Sequence, residues 1–218
     1  MRPTFRYLSS PPIIRIADAS FRQNAEGPTL FRNLNFELPS TSNQAWAVLG
    51  GASEERSNLL HILRGAHQAF PPSSRSFPYL SAPEIAQKDP RLRSPHHAIQ
   101  YVGFDAERGV TSLRGAYLSA RYESRREITD FTLRDYLLGH TELNAAEDLL
   151  YHPKDDSFHQ VTHDLSLEAM LELPVSHLSN GQTRRAKIAK ALLGNPEVLL
   201  LNSPFSMFLH LQLTMNEY

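Results

Sequence analysis

Apolar residues alternate with polar ones in two stretches near the start of the chain. Ile14 and Ile16, then Phe21, follow the Pro11-Pro12 pair and predict a strand. Leu34, Phe36 and Leu38 are separated by Asn33, Asn35 and Glu37, which predicts a half-buried strand in an antiparallel region. Trp46 to Leu49 is a short apolar run ending at Gly50 and Gly51. Such a run, feeding a glycine turn, is the pattern of a buried strand in a parallel α/β sheet. Leu59, Leu60, Ile62 and Leu63 then recur at helical spacing, with Gly65 as the stop.

From Phe70 to Pro95 the chain is rich in proline, serine and charge, and reads as a long irregular connection with short strands around Tyr79. Ile99, Tyr101 and Val102 predict another strand. The following stretch, to Leu173, is mostly helical in pattern, with pieces at Tyr117 to Arg126, Leu133 to Leu138 and Leu165 to Leu173. Tyr151 to Ser157 is polar and reads as a loop. Ser179 to Leu193 predicts a helix and Val198 to Leu201 a buried strand. Strand, glycine loop and helix at one end, with helix and strand at the other, frame a helical insert in an α/β fold.

A chain of 218 residues supports one sizeable core, or a core with a smaller insert. The net charge of −1 supplies no field that would draw nucleic acid. The absence of cysteine removes disulfides, thiolate catalysis and cysteine metal sites. The histidines are scattered, adjacent His96 and His97 cannot both face one metal from a strand, and no histidine metal site is expected. No stretch approaches the roughly 18 to 20 apolar residues of a membrane helix, so any membrane partner would be another chain. The opening MRPTFRYLSSPP holds arginine, serine and aromatics, and the first acid is Asp18. Residues 1–12 therefore read either as an organelle leader or as a disordered terminus, with Pro3, Pro11 and Pro12 against an amphipathic helix.

Leu178 to Gln182 reads LSNGQ, followed by TRRAKIAKALLGNPEVLLL. Ser179 can cap the helix while Gln182 reaches back to its backbone, as in a capping box. Ile188, Ala189, Leu192 and Leu193 form an apolar stripe, with Arg184, Arg185, Lys187 and Lys190 largely off it. Gly194 suits a left-handed stop and Pro196 prevents continuation. A serine hydroxyl, free backbone N–H groups and a positive helix end together suit a phosphate. Pentapeptide, basic helix, Asn-Pro break and apolar strand together resemble the signature motif of ABC-type ATPases and its run to the Walker B strand.

That resemblance gives meaning to Gly50 to Ser57, GGASEERS, which lies between a strand and a helix as a Walker A loop (GxxxxGK[ST]) does. Gly50 and Ser57 fit the pattern. Glu55 stands where the second glycine belongs and Arg56 where the lysine belongs. Glu55 adds a charge that repels phosphate by about 1 kcal/mol in water and about 4 kcal/mol at a surface-like dielectric for charges 4 Å apart, and Glu54 can add to it. Arg56 keeps the positive charge in a bulkier, forked form. The resemblance implies a nucleotide site made of Gly50, Gly51, Ala52, Ser53, Glu54, Glu55, Arg56, Ser57 and Asn58, of Ser179, Asn180, Gly181 and Gln182, and of Asn202, with Ser57 as magnesium ligand. It implies ATP and Mg2+, and the residues Glu55, Arg56, Asn202 and Ser203 stand against both.

EVLLLNSPF, Glu197 to Phe205, occupies the place of the Walker B strand, where the family has Asp-Glu after the apolar run. Asn202 replaces the magnesium-site aspartate and Ser203 the general base, so no catalytic residue is assigned. Where a Q-loop glutamine is expected, YVGFDAERG offers Phe104 and Asp105; His210 lacks the context of a switch histidine. Phe21 is the aromatic nearest the adenine-stacking position, and reads first as a core residue. The pattern after Phe205 is shorter than the family's, which reads as a divergent or truncated end.

The expected architecture is a P-loop, ABC-type α/β core, with a mostly parallel sheet, an antiparallel N-terminal β region and a helical subdomain at about 113–175, in a single domain over 13–218. AYLSARYESRREITDFTLRDYLLG resembles the insert of ABC ATPases of the molybdate-transport type that lack membrane segments. The resemblance implies a second ABC nucleotide-binding subunit, or another copy of this chain, as partner, and an ATP-binding protein weak or inactive in hydrolysis. The rival is an interaction protein using the scaffold without nucleotide. A mitochondrial location is expected, with the cytoplasm as the alternative.

Overall fold

A computed structural model describes residues 10–24, 26–40, 44–103, 131–140 and 155–203. The chain divides into two compact units, Met1–Tyr101 with Pro196–Leu200, and Val102–Asn195 with Leu201–Tyr218.

In the first unit, β1 (Ile14–Arg22) pairs antiparallel with β2 (Thr29–Leu38), β3 (Gln68–Phe70) and β4 (Arg75–Ser76). This is the antiparallel region that the alternating pattern predicts. Ile14, Ile16 and Phe21 are buried, and Leu34, Phe36 and Leu38 pack half-buried against the same core. The register shifts between Ile16 and Ala19. Asp18 and Asn33 there take positive φ, +47° and +50°, and the Asn35 carboxamide bridges them, accepting from the Asp18 N–H at 2.9 Å and donating to the Asn33 carbonyl at 3.1 Å. A side-chain amide thus satisfies backbone groups that the bulge removes from the ladder.

α1 (Ser53–Leu63) buries Leu60, Ile62 and Leu63, and Gly65 follows it at φ +94°. The strand expected at Trp46 to Leu49 is not formed. Residues 44–49 have no regular structure, and Trp46, Val48 and Leu49 are exposed, Leu49 at 89%. A strand persists only where its backbone groups find neighbours. Trp46 finds an edge contact with the Phe36 ring, centroids 6.1 Å apart, and no ladder.

The proline-rich stretch is a chain of short helical turns. 3-10 turns at Pro72–Ser74, Pro78–Ser81 and Pro90–Arg93 alternate with α2 (Pro83–Lys88) and α3 (Pro95–Ala98), and each begins on its proline. Proline suits the first helical position because its φ is preset and an N–H there would have no intrahelical partner. A 3-10 turn stands where a strand around Tyr79 was expected. Leu80, Ile85 and Leu92 carry these turns into the core. β5 (Ile99–Val102) and β6 (Val198–Leu201) pair in a two-stranded sheet.

The second unit holds α4 (Leu133–Leu138), α5 (Asp155–Asp164) and α6 (Asn180–Leu193) around Leu133, Leu137, Phe158, Leu167, Leu171 and Leu178. α5 overturns the loop expected up to Ser157. Phe158 and Thr162 are buried with Val161 and Leu165 half-buried, a helical face within a polar sequence. The helix expected at Leu165 to Leu173 is instead a bend at Ser166, φ +51°, and a 3-10 turn at Glu168–Met170. The helix piece expected at Tyr117 to Arg126 lies outside the described residues, as do residues 1–9, Phe104, Asp105 and His210.

Candidate nucleotide site: glycine loop and signature helix

Gly50 and Gly51 take φ of +90° and +61°, conformations that glycine adopts without penalty. The turn delivers the chain to Ala52, the cap of α1. Glu55 sits at the third helical position, and its Oε2 accepts from the Ala52 N–H at 3.2 Å. This is half of a capping box, since alanine has no side-chain acceptor to complete it. A Cβ on Gly51 would lie 2.5 Å from that same Oε2. Glycine at 51 therefore makes room for the carboxylate of the chain's own Glu55.

Arg56 turns inward as well. Its Nη1 donates to the carbonyls of Gly50 and Gly51 at 3.0 and 2.7 Å. The Ser57 hydroxyl donates to the Ser53 carbonyl at 3.0 Å. Ser53 and Glu54 are exposed on the first turn and Asn58 is half-buried beyond them. From the sequence, Glu55 reads as a nearby repulsive charge and Arg56 as a substitute cation. The structure goes further: Glu55 holds the helix-start amide, and the guanidinium is bound to the loop's carbonyls. The signal for Glu55 was present, since an acid three residues after a cap is the capping pattern.

The signature residues are arranged differently. The Ser179 Oγ accepts from the Gln182 N–H at 3.3 Å, and the Ser179 N–H donates to Gln182 Oε1 at 2.7 Å, so the expected capping box is complete. Used as an acceptor, the hydroxyl keeps its own proton for an outside oxygen. Ser179 and Asn180 are exposed. Around Gly181, a Cβ would meet nothing within 4 Å, so no neighbour among the described residues requires glycine there.

The rest of α6 corrects the expected stripe. Ala186, Ala189, Ala191 and Leu193 are buried, Ile188 is half-buried and Leu192 is exposed. Of the basic residues, Arg185 donates to the carbonyls of Leu165 and Ser166 at 2.8 and 3.1 Å. Lys190 lies over the Tyr136 ring, 4.2 Å from its centroid. Burial lowers the Lys190 pKa and pushes the Tyr136 hydroxyl up to about 12. These two cations fasten α6 within its unit. The left-handed residue after the helix is Asn195, φ +44°, while Gly194 stays helical at −66°; asparagine tolerates that conformation.

At the end of β6, Asn202 is buried and its N–H donates to the Val102 carbonyl at 3.0 Å. The Ser203 hydroxyl donates to Asn202 Oδ1 at 3.4 Å, and Ser203 is exposed with φ +51°. Neither side chain carries a charge. Phe21 is fully buried, which bears out its core reading. A capping box that sequence reading passed over starts α4: the Thr132 Oγ1 accepts from the Asp135 N–H at 3.1 Å, and Asp135 accepts from the Thr132 N–H at 3.0 Å.

The family model for ABC transporters matches residues 31–206. The chain belongs to the ABC transporter ATP-binding family. An ABC transporter ATP-binding protein of Schizosaccharomyces pombe is 33% identical over 178 residues, covering 81% of this chain and 33% of the yeast protein. The molybdenum import ATP-binding protein ModC of Rhodobacter capsulatus is 31% identical over 114 residues, 45% of this chain and 31% of that protein. The chain thus spans about a third of the length of these curated relatives. The fold is similar to that of cbiO1 from Clostridium perfringens, part of the ABC transporter complex cbiONQ, with a TM-score of 0.53 and 17% identity over 95% of this chain and 74% of that one. The ABC assignment and the P-loop α/β architecture stand, and among the described residues no helix is long and apolar enough to cross a membrane.

Proposed function

We propose that this protein is an ABC subunit that presents its signature helix to a nucleotide held by a second ABC subunit, and that its own glycine loop supports little or no hydrolysis. The contrast between the two helix starts carries this reading. At Ser179 the hydroxyl proton and the space beyond Gly181 are available to an outside phosphate. At Ala52 a carboxylate of the same chain already holds the amide.

ATP with magnesium is the family's ligand, and in that role it supplies the phosphoryl group and the charge that neutralises it. With Glu55 on the Ala52 amide and Arg56 on the Gly50 and Gly51 carbonyls, the loop does not fit a triphosphate. Ser57 would be the magnesium hydroxyl, yet its proton lies on the Ser53 carbonyl. Asn202 would offer only a neutral oxygen. The molybdate-transport-type group is the branch we favour, on the insert motif and the partial match to ModC. A mitochondrial location belongs to the same reading and rests on the arginine- and serine-bearing start of the chain; imaging a tagged full-length protein tests it.

A second reading, a scaffold that ignores nucleotide, is favoured by the occupied loop. Sedimentation separates the two. Assembly with a complete ABC subunit, or with a second copy, is expected to strengthen with ATP, and Ser179→Arg is expected to abolish that gain. Association that ignores both ATP and the substitution establishes the scaffold instead.

A further inference from the structure

The first unit contains an open pocket of about 420 Å³, within the size range of small-molecule sites. Among the described residues its lining includes Arg64, Arg75, His96, Phe77, Tyr101 and Ser94, and no carboxylate. Arg64 follows α1, at the opposite end of that helix from the glycine loop. Eleven residues of helix separate the two ends by about 16 Å, so an anion in this pocket is not one seated on the loop.

The positive charge here has no ionic counterweight among the described residues. Ion pairs there join Lys88 to Glu197, Arg91 to Asp89, Arg134 to Glu172 and His163 to Asp164, and none reaches Arg64 or Arg75. Arg75 is fixed in place, donating to the carbonyls of Ile62 and Gly65, both at 3.1 Å. Arg64 carries its guanidinium over the Tyr101 ring, 5.1 Å from the centroid. The His61 ring lies 4.7 Å from the same ring and 5.7 Å from His67. His67 is buried, its Nε2 has no partner, and its pKa is lowered, first by burial and then by the charges of His61 and Arg75. Burial disfavours the charged form of His67 most, and the positive charges of its neighbours act in the same direction.

Two ligand features follow from the lining. Guanidinium forks match the paired oxygens of a carboxylate or phosphate. The Phe77 ring in the lining suits a flat body. We propose that this pocket binds a small organic oxyanion, a phosphate or carboxylate on a planar ring, with the Arg64 guanidinium holding the anionic group, the carbonyl-bound Arg75 adding positive charge, and Phe77 against the ring. The site is independent of the nucleotide reading, because it uses none of the glycine-loop or signature residues.

Calorimetric titration of the full chain with phenyl phosphate, benzoate, inorganic phosphate and the neutral benzyl alcohol tests it at low salt. Phenyl phosphate or benzoate should bind saturably, and which binds more tightly distinguishes phosphate from carboxylate. Inorganic phosphate should bind more weakly and benzyl alcohol should give no saturable heat. Arg64→Gln should weaken the better ligand about tenfold or more, corresponding to about 1.4 kcal/mol, with circular dichroism unchanged. Phe77→Leu should weaken the ring-bearing ligand and leave inorganic phosphate unaffected. Arg56→Gln should leave the affinity for phenyl phosphate and benzoate at this pocket unchanged. No saturable binding of either aromatic anion at millimolar concentration overturns the proposal. So does binding that survives Arg64→Gln and disappears in Arg56→Gln, which would place the anion on the glycine loop.

Discussion

A carboxylate three residues into a helix stabilises that helix, and in a phosphate loop the same carboxylate competes with the ligand. Glu55 does both. Its Oε2 accepts from the Ala52 N–H at 3.2 Å, and its charge opposes phosphate at close range. Arg56 adds to the closure by holding the carbonyls of Gly50 and Gly51. Replacing Glu55 with glycine removes the carboxylate and restores backbone freedom. Replacing Arg56 with lysine restores a single-point cation. The double variant Glu55→Gly, Arg56→Lys is expected to bind ATP about tenfold more tightly than wild type, a gain larger than that of either single change. Calorimetry on the four proteins checks this. Unchanged affinity in the double variant would mean that the loop is not a phosphate site even when opened.

Helix starts are where this chain concentrates its local signals. α6 begins with a reciprocal Ser179–Gln182 box and α4 with a Thr132–Asp135 box. The turns between Pro72 and Ala98 begin on prolines. Losing a serine cap costs roughly 0.5 to 2 kcal/mol. Ser179→Ala is therefore expected to lower stability toward urea by about 1 kcal/mol. Ser179→Asp, which caps as well as serine does, should leave stability within about 0.5 kcal/mol of wild type. It places a negative charge where a partner's phosphate would approach, so it should also abolish ATP-dependent assembly. Assembly that persists in Ser179→Asp would make this serine a cap alone.

On the proposed reading, the positions that decide catalysis by the whole molecule are Asn202 and Ser203. Asn202 is buried and neutral, and the Ser203 hydroxyl faces Asn202 Oδ1 rather than a base. Loss of a general base forfeits about 10² to 10⁴ in rate, and loss of the metal carboxylate adds to it. Steady-state phosphate release by the protein alone is expected to stay far below about 1 per second, the low end of ordinary enzymes. Turnover at that level, abolished by Ser203→Ala, would show that Ser203 is a rewired catalytic group.

Local patterns were enough to read the two alternating strands, the helix after the glycine loop, the capped α6 and the strand after it, because each combines a clear period with its own stop signal. Ser179 with Gln182, and Gly50 with Gly51, are visible in sequence because their geometry is set within a few residues. Other features depend on neighbours far along the chain. Trp46 to Leu49 has the composition of a buried strand, yet a strand requires flanking backbone, and here Leu49 is 89% exposed. α5 looks polar until Phe158 and Thr162 are seen against the core of the second unit. Arg185 and Lys190 read as surface charges, and only packing shows them holding the Leu165 and Ser166 carbonyls and the Tyr136 ring. Arg64 and Arg75 are separated by ten residues of ordinary composition. Folding alone brings them around one pocket with Tyr101, with no carboxylate among its described lining, because charge compensation is a property of space and not of sequence distance.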